Sequence, residues 1–161
     1  AKLIPSKVRA LNSSPLLSEG WGFYCEELAH ETGYFTDPRE RLMQLNWRLQ
    51  RAARIICDVS IHTGAMTFEE AVKFLMDEGV YSEAMARQEV ERYTFRSPGQ
   101  ATSYYYGYTR WMQLRSQVEM ALGAKFDRQR YHDYILSQGL LPPDVLSRAV
   151  LTEFVAAEKA R

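Results

Sequence analysis

Hydrophobic residues along most of the chain recur at spacings of three and four positions, which is the period of an amphipathic α-helix. The sequence lacks the strict alternation of apolar and polar residues that is typical of half-buried β-strands. Pro, Gly, Ser and Asp interrupt the helical pattern at intervals and divide it into segments. The pattern therefore predicts an all-α fold of about six to seven helices.

Capping residues indicate where the predicted helices begin and end. Asp, Ser and Thr are favoured N-caps, Pro is favoured at the first helical position, and Gly often follows the C-terminus. Residues 1–18 contain Pro and Ser and are weakly periodic, so we expect a lead-in loop followed by one helical domain over residues 19–161. The signals predict helices over about 19–32, 38–62, 67–79, 82–94, 100–122, 127–139 and 143–159.

Two stripes of opposite character follow the helix predicted over residues 38–62. The apolar stripe, which we expect to face the core, consists of Leu42, Leu45, Leu49, Ala52, Ile56 and Val59. The charged stripe on the far side consists of Arg51, Arg54, Asp58 and His62. Because buried charges must be paired, the second stripe is either a structural network between helices or the wall of a site. Such a wall would position an anionic group or a metal ligand.

A tyrosine-rich helix is predicted over residues 100–122. Tyr104, Tyr108, Trp111 and Arg115 share one of its faces. Such a stripe is typical of a core or an interface, but a phenol can also donate a hydrogen bond to a developing oxyanion. A base-stacking platform is disfavoured because the stripe lacks basic surroundings. Gly107 in the middle of the helix costs about 1 kcal/mol against Ala, so it indicates close approach of another backbone or a ligand.

The histidines do not form a recognisable metal motif. Glu27 and His30 have the Glu-x-x-His spacing of carboxylate-bridged di-metal bundles, but the second copy that such bundles need is absent from the sequence. His30 also begins an HExxH-like run in which Tyr34 stands where the second His is required. A di-metal carboxylate enzyme is therefore a remote alternative, and a solvated helix end is the simpler interpretation of His30.

Composition excludes several classes of protein. Of 161 residues, 46% are hydrophobic and 12% aromatic, which is typical of a globular domain. Twenty basic and twenty acidic residues give no net charge, so neither nucleic acid nor an anionic membrane surface is an expected partner. No apolar run approaches the ~20 residues of a membrane span. Cys25 and Cys57 have no metal-binding spacing and are interpreted as buried thiols.

The ordered set of motifs resembles a large bacterial family catalogued as domain of unknown function number 885, which is itself similar to gluzincin-type zinc peptidases. The resemblance extends from Ser18 to about Phe154. The matching residues are Glu19-Gly20-Trp21-Gly22 with Tyr24 and Glu26, Arg51 to Arg54 through Asp58, Ile61-His62, Met66-Thr67 with Glu70-Ala71, Pro98 to Tyr104 with Gly107, Leu114-Arg115, Leu122-Gly123, His132-Asp133, Leu136, and Gly139 with Leu141-Pro142. Gly22 stands where the family usually has Ala.

The resemblance implies a fold like the C-terminal part of a gluzincin-type helical peptidase. Family members carry an HExxH helix upstream, and in gluzincins two His of that helix and a later Glu bind zinc. Glu19 matches the position of the later Glu, so it is the candidate metal ligand. By the same analogy, Tyr104 resembles a transition-state hydrogen-bond donor. The candidate catalytic residues are thus Tyr104, His62 and Arg115, and the candidate substrate-binding residues are Arg51, Arg54 and Tyr108.

The sequence departs from the family in lacking HExxH. We therefore expect zinc in a parent protein and none bound by this chain alone, with a missing HExxH-bearing N-terminal region, on the same or a separate chain, as partner and a peptide-like molecule as substrate. The alternative is a non-catalytic helical module for binding or assembly, for which a homo-oligomer is an expected state. No membrane partner is expected, and the bacterial cytoplasm and the periplasm both stay open as locations.

Overall fold

The computed structural model describes residues 14–161 together with Lys7 and Leu11, and this part of the chain contains helices and no β-strand. The predicted all-α class is confirmed. The helices are α1 (Pro15–Glu31), α2 (Pro38–His62), α3 (Phe68–Asp77), α4 (Glu83–Glu91), α5 (Gln100–Leu122), α6 (Arg128–Gln138), α7 (Pro143–Ala149) and α8 (Val155–Ala160). A π-helical turn (Arg92–Arg96) extends α4, a 3-10 turn (Gly123–Lys125) follows α5, and a second π-helical turn (Val150–Phe154) joins α7 to α8. Among the described helices, none is both long and apolar enough to cross a bilayer.

The predicted caps explain most helix ends. Asp37 accepts the backbone N–H of Arg39 at 2.8 Å and closes a capping box with Glu40 at the start of α2. Thr67 and Glu70 form a second capping box at the start of α3, where the Thr67 N–H donates to Glu70 Oε2 at 2.8 Å. Helix α1 begins at Pro15, before the predicted start at residue 19. The rest of the predicted lead-in loop lies mostly outside the described residues.

Two hydrophobic cores share helix α5. One core lies among α1, α5, α6, α7 and α8, and the other lies among α2, α3, α4 and the first turn of α5. Helices α1 and α5 form the most extensive helix pair. Trp111 of α5 links the two helices by donating its indole N–H to the carbonyl of Leu17 of α1 at 3.1 Å. Because α5 belongs to both cores, its N-terminal half lies at their junction.

A glycine contact brings the backbones of α1 and α5 unusually close. A Cβ atom built on Gly107 would lie 2.9 Å from Gly20 Cα and would overlap the carbonyl oxygen of Leu16. A Cβ atom on Gly20 would in turn overlap the backbone of Gly107. The expectation that Gly107 marks close approach of another backbone is confirmed. Only two facing glycines allow the helices to cross at this separation.

The prediction that the apolar stripe of α2 faces the core of this chain is wrong. Leu42 is 66% exposed, and Leu49, Ile56 and Val59 are nearly half exposed. The buried residues of α2 are instead Gln44, Gln50, Ala53, Cys57 and Asp58. Periodicity showed which residues share a face but not which face is buried. The polar side of α2 faces inward because its charged side chains are paired with groups of α1, α4 and α5.

Both cysteines are free. Cys57 is buried, as expected, and burial raises the pKa of its thiol to about 12. Cys25 is only half-buried, and burial followed by the charge of Glu26 raises its pKa as well. Both thiols therefore stay protonated near neutral pH, as expected for packing residues rather than nucleophiles.

Candidate functional site

A polar cluster lies where α1, α2 and α5 meet at the junction of the two cores. Glu19 of α1 immediately precedes Gly20, and Tyr104 of α5 lies one helical turn before Gly107. The close crossing of the two glycines therefore holds the Glu19 carboxylate beside the Tyr104 phenol. Arg54 of α2 approaches the same tyrosine from the other side. Three helices that are far apart in sequence thus converge on Tyr104.

Burial and the neighbouring Glu19 both favour the protonated form of the Tyr104 phenol. Burial raises the pKa of Tyr104, and the negative charge of Glu19 and a hydrogen bond to it raise the pKa further. Arg54 and Arg51 oppose this shift more weakly. Glu19 itself takes part in no ion pair with another described residue. The site therefore presents an O–H donor beside a half-buried carboxylate that no described cation neutralises.

Arg54 lies between Tyr104 and a second group of charged residues around Glu89. Its guanidinium carbon lies 5.0 Å from the centre of the Tyr104 ring, and its Nε lies 3.2 Å from Oε2 of Glu89. Arg92 contacts the same oxygen at 3.3 Å, and the hydroxyl of Tyr93 donates to it at 2.7 Å. The Nε and Nη2 atoms of both arginines are buried and, within the described residues, make no well-directed hydrogen bond. The two guanidinium groups thus share the single carboxylate of Glu89, which leaves the cluster with one positive charge in excess.

Arg51 is more firmly engaged than Arg54. Its two terminal nitrogens donate to the carboxylate of Glu26 at 2.7 and 3.1 Å, a bidentate pair. Its guanidinium also stacks over Phe23 at 4.6 Å and lies 5.9 Å from Trp47. The predicted role of Arg51 in binding substrate thus requires that a ligand compete with Glu26.

Asp58 and His62 lie at the N-terminal end of α5 and not at Tyr104. Asp58 is 1% exposed and accepts the backbone N–H groups of Gly99 and Ala101 at 2.9 and 3.1 Å. It therefore caps α5 from another helix, where a negative charge also complements the helix dipole. His62 Nε2 donates to the carbonyl of Tyr93 at 3.0 Å and lies 3.5 Å from Asp58. These contacts are typical of a structural network between helices, which was one of the two interpretations of the charged stripe.

Tyr108 lies one turn beyond Tyr104 but belongs to the aromatic core. It is 4% exposed, and its ring centre lies 4.5 Å from that of Phe23. Arg48 covers the ring at 5.1 Å. Burial raises the pKa of Tyr108, opposed by the charge of Arg48. A substrate would reach this side chain only after displacing part of the packing.

Arg115 belongs to a separate polar cluster. It donates to both oxygens of Glu31 at 2.9 Å and to Glu119 at 2.7 Å. Nearby, the hydroxyl of Tyr24 hydrogen-bonds Nε2 of His132 at 2.9 Å. Although Arg115 shares a helical face with Tyr104, three turns of α5 separate them, about 16 Å along the axis. The structure does not bring the three candidate catalytic residues together.

The sequence did not reveal Glu89 and Arg92 as members of the site. Glu89 joins Arg54, Arg92 and Tyr93 through one carboxylate. The available signal was the charged stripe of α2, since its half-buried arginines needed acidic partners from another helix. Several helices carried suitable acids, so spacing alone could not select Glu89.

The described residues do not form a complete zinc site. No group of three or more His, Cys, Asp or Glu side chains among them converges as metal ligands would. A catalytic zinc needs three protein ligands and one open position. The donor set around Tyr104 offers Glu19 as one carboxylate ligand, so any zinc there would require further ligands from outside the described residues.

Known proteins similar to this chain share its fold. It matches the family model described as "Bacterial protein of unknown function (DUF885)" over residues 3–150. It is similar to a "putative lipoprotein" from Colwellia psychrerythraea, with 34% identity and a TM-score of 0.87, over 93% of this chain and 26% of that one. It is also similar to a "putative lipoprotein of unknown function" from Shewanella oneidensis, with 33% identity and a TM-score of 0.83, over 91% of this chain and 27% of that one. No curated protein matches it.

The family match covers most of the chain, from the segment before α1 to the end of the α7 region. The chain spans about a quarter of the length of the two solved relatives. The chain therefore belongs to the bacterial family of unknown function DUF885.

Proposed function

We propose that this chain forms part of the active site of a zinc-dependent hydrolase that cleaves peptide or related amide bonds. In this proposal Glu19 is one metal ligand, and residues outside the described part of the chain supply the others. The observation that carries the proposal is the pairing of Glu19 with Tyr104 at the glycine crossing. Zinc, when bound, would polarise the amide carbonyl and activate water.

The chemistry of the described residues fits such a reaction. A protonated phenol beside the metal-ligand position can donate a hydrogen bond to the oxyanion that develops on the scissile carbonyl. The raised pKa of Tyr104 keeps that proton in place over the whole physiological range. Arg54, which shares the single carboxylate of Glu89 with Arg92, is suited to attract an anionic group of the substrate. The description of the relatives as lipoproteins favours a periplasmic location for the parent protein.

Replacement of Tyr104 by Phe in the full-length protein tests the catalytic role. We expect kcat for a library of internally quenched peptides to fall about 100-fold or more, with little change in KM, because one oxyanion donor is lost. The matched control is Tyr106→Phe, which alters a half-exposed phenol on the same helix. If Tyr104→Phe keeps the wild-type kcat on a cleaved peptide, Tyr104 is not the donor.

A non-catalytic role in binding or assembly is the second candidate. The exposed apolar face of α2 favours it, because soluble proteins seldom leave such a stripe uncovered. If the metal-loaded full-length protein hydrolyses none of the library peptides, this second function is favoured over the first.

A further inference from the structure

The outward face of α2 is a continuous apolar surface. Five large apolar side chains of this face are exposed by 43% to 66%. They are Leu42, Leu45, Leu49, Ile56 and Val59. Met43 and Trp47, which are also about half exposed, widen the surface towards the start of the helix. Together these seven residues form what we call the α2 apolar face.

The spacing of the α2 apolar face indicates the shape of its partner. With Ala52 included, the positions from Leu42 to Val59 follow each other at intervals of three, four, three, four and three residues. This repeat is the seam of a helix that packs lengthwise against another helix. At its N-terminal end the face borders an open groove of about 310 Å³, which is lined by the apolar Phe35, Met43 and Trp47 and by the polar Glu26, Glu40 and Gln44.

The polarity of α2 shows that the outward side is built for burial. The inward side carries Arg51, Arg54 and Asp58, which are paired with groups from α1, α4 and the start of α5. A helix at the surface of a protein normally turns its apolar stripe inward and its polar side to solvent. In α2 the polar side faces inward and the apolar stripe faces outward, as expected for a helix that is packed between two layers.

The charges beside the seam argue against a second copy of this chain as the partner. The positions that flank the seam are Arg41, Asn46, Arg48, Ala53, Ile55 and Ser60, and none is acidic. Two identical seams would therefore bring arginines to the interface with no acidic residue at the flanking positions to face them. Arg41 and Arg48 share the single carboxylate of Glu27, at 3.4 and 3.5 Å. A partner helix with acidic flanks would complement them.

We propose that the α2 apolar face binds an amphipathic helix with acidic flanks from the remainder of the full-length protein. The two solved relatives carry about three quarters of their length outside the stretch that this chain matches. That remainder needs a contact surface on the matched unit, and α2 carries more exposed large apolar side chains than any other described helix. This inference rests on the proposed function only in requiring a longer protein.

Thiol labelling tests the proposal without any metal or activity. Leu49→Cys places a thiol in the middle of the face, and Met120→Cys places the control thiol on α5 at a residue that is 77% exposed. Both are made in a Cys25→Ser background, since Cys57 is buried. In the dilute 161-residue chain we expect both new thiols to react rapidly with a maleimide. In the full-length protein we expect the Leu49→Cys thiol to react at least about tenfold more slowly, and the control thiol to react as before.

Three results would overturn the proposal. The first is equal reactivity of the Leu49→Cys thiol in the two proteins, or equal protection of both thiols in the longer one. The second is concentration-dependent protection in the 161-residue chain together with a stable dimer in sedimentation, which would assign the face to a second copy. The third is a gene that encodes no further region. The first two results do not bear on Glu19 as a ligand, so the two proposals can fail separately.

Discussion

The glycine crossing of α1 and α5 makes a sharp prediction about stability. In Gly107→Ala, the added methyl group would lie 2.9 Å from Gly20 Cα and closer still to the carbonyl oxygen of Leu16. Carbon atoms pack best at about 3.5–4.0 Å, so the two helices must separate by roughly 1 Å. The Trp111 hydrogen bond to Leu17 and the aromatic packing around it resist that movement.

The net effect of Gly107→Ala is the difference of two terms. Overpacking against rigid backbone costs about 3 kcal/mol, the upper end of the usual range. The better helix propensity of Ala offsets about 1 kcal/mol of this destabilisation. We therefore expect the free energy of unfolding to fall by about 2 kcal/mol. Urea titration followed by circular dichroism and tryptophan fluorescence measures this change.

Gly22→Ala is the matched control for the crossing. Gly22 lies on α1, close to Gly20, but a Cβ atom built on it meets nothing within 4 Å. The substitution should therefore raise the free energy of unfolding by about 0.5–1 kcal/mol. If Gly107→Ala were as stabilising as Gly22→Ala, the helices would not cross at the glycines, and the reason for the proximity of Glu19 and Tyr104 would be lost.

Two further predictions concern the cap at Asp58 and the half-buried His132. Asp58→Ala should lower the free energy of unfolding by about 2 kcal/mol in the same titration, because two backbone N–H groups of α5 lose their acceptor. Asp58→Asn, which keeps one acceptor, should cost about half as much, and equal stability of all three proteins would rule out the cap. Burial, then the charges of Arg115 and Arg128, lowers the pKa of His132 below its ordinary value of 6.5. Because the folded state disfavours protonation of His132, its contribution to the free energy of unfolding should be complete above about pH 6.5. The contribution should be lost as the pH falls through the pKa of His132 in the folded state. His132→Gln should flatten that decline, and an unchanged pH profile would contradict it.

Local signals in the sequence predicted the helices well. The capping boxes at Asp37 and Thr67 join residues only three positions apart, so they can be predicted without knowledge of the tertiary structure. Gly107 could be interpreted for the same reason, since a helix tolerates such a residue mainly where another backbone comes near. The sequence could not identify Gly20 as its partner, because that contact joins positions on two different helices.

Orientation between helices could not be predicted from the same signals. The two stripes of α2 were identified correctly, but the direction in which each faces depends on Glu26, Glu89 and the start of α5. In the same way, one helical face joined Tyr104 and Arg115, yet the length of α5 separates them into different clusters. A shared face fixes an angle around a helix and leaves open the distance along it.

Zinc content of the full-length protein tests the central claim, that Glu19 is a metal ligand, most directly. The protein is purified with and without Glu19→Gln, dialysed against low zinc and measured by elemental analysis. Glu78→Gln, which changes an exposed carboxylate at the end of α3, is the control. We expect about one zinc per chain in the wild type and the control, and a loss of most of it in Glu19→Gln with helicity unchanged. Full zinc content in Glu19→Gln would contradict the assignment.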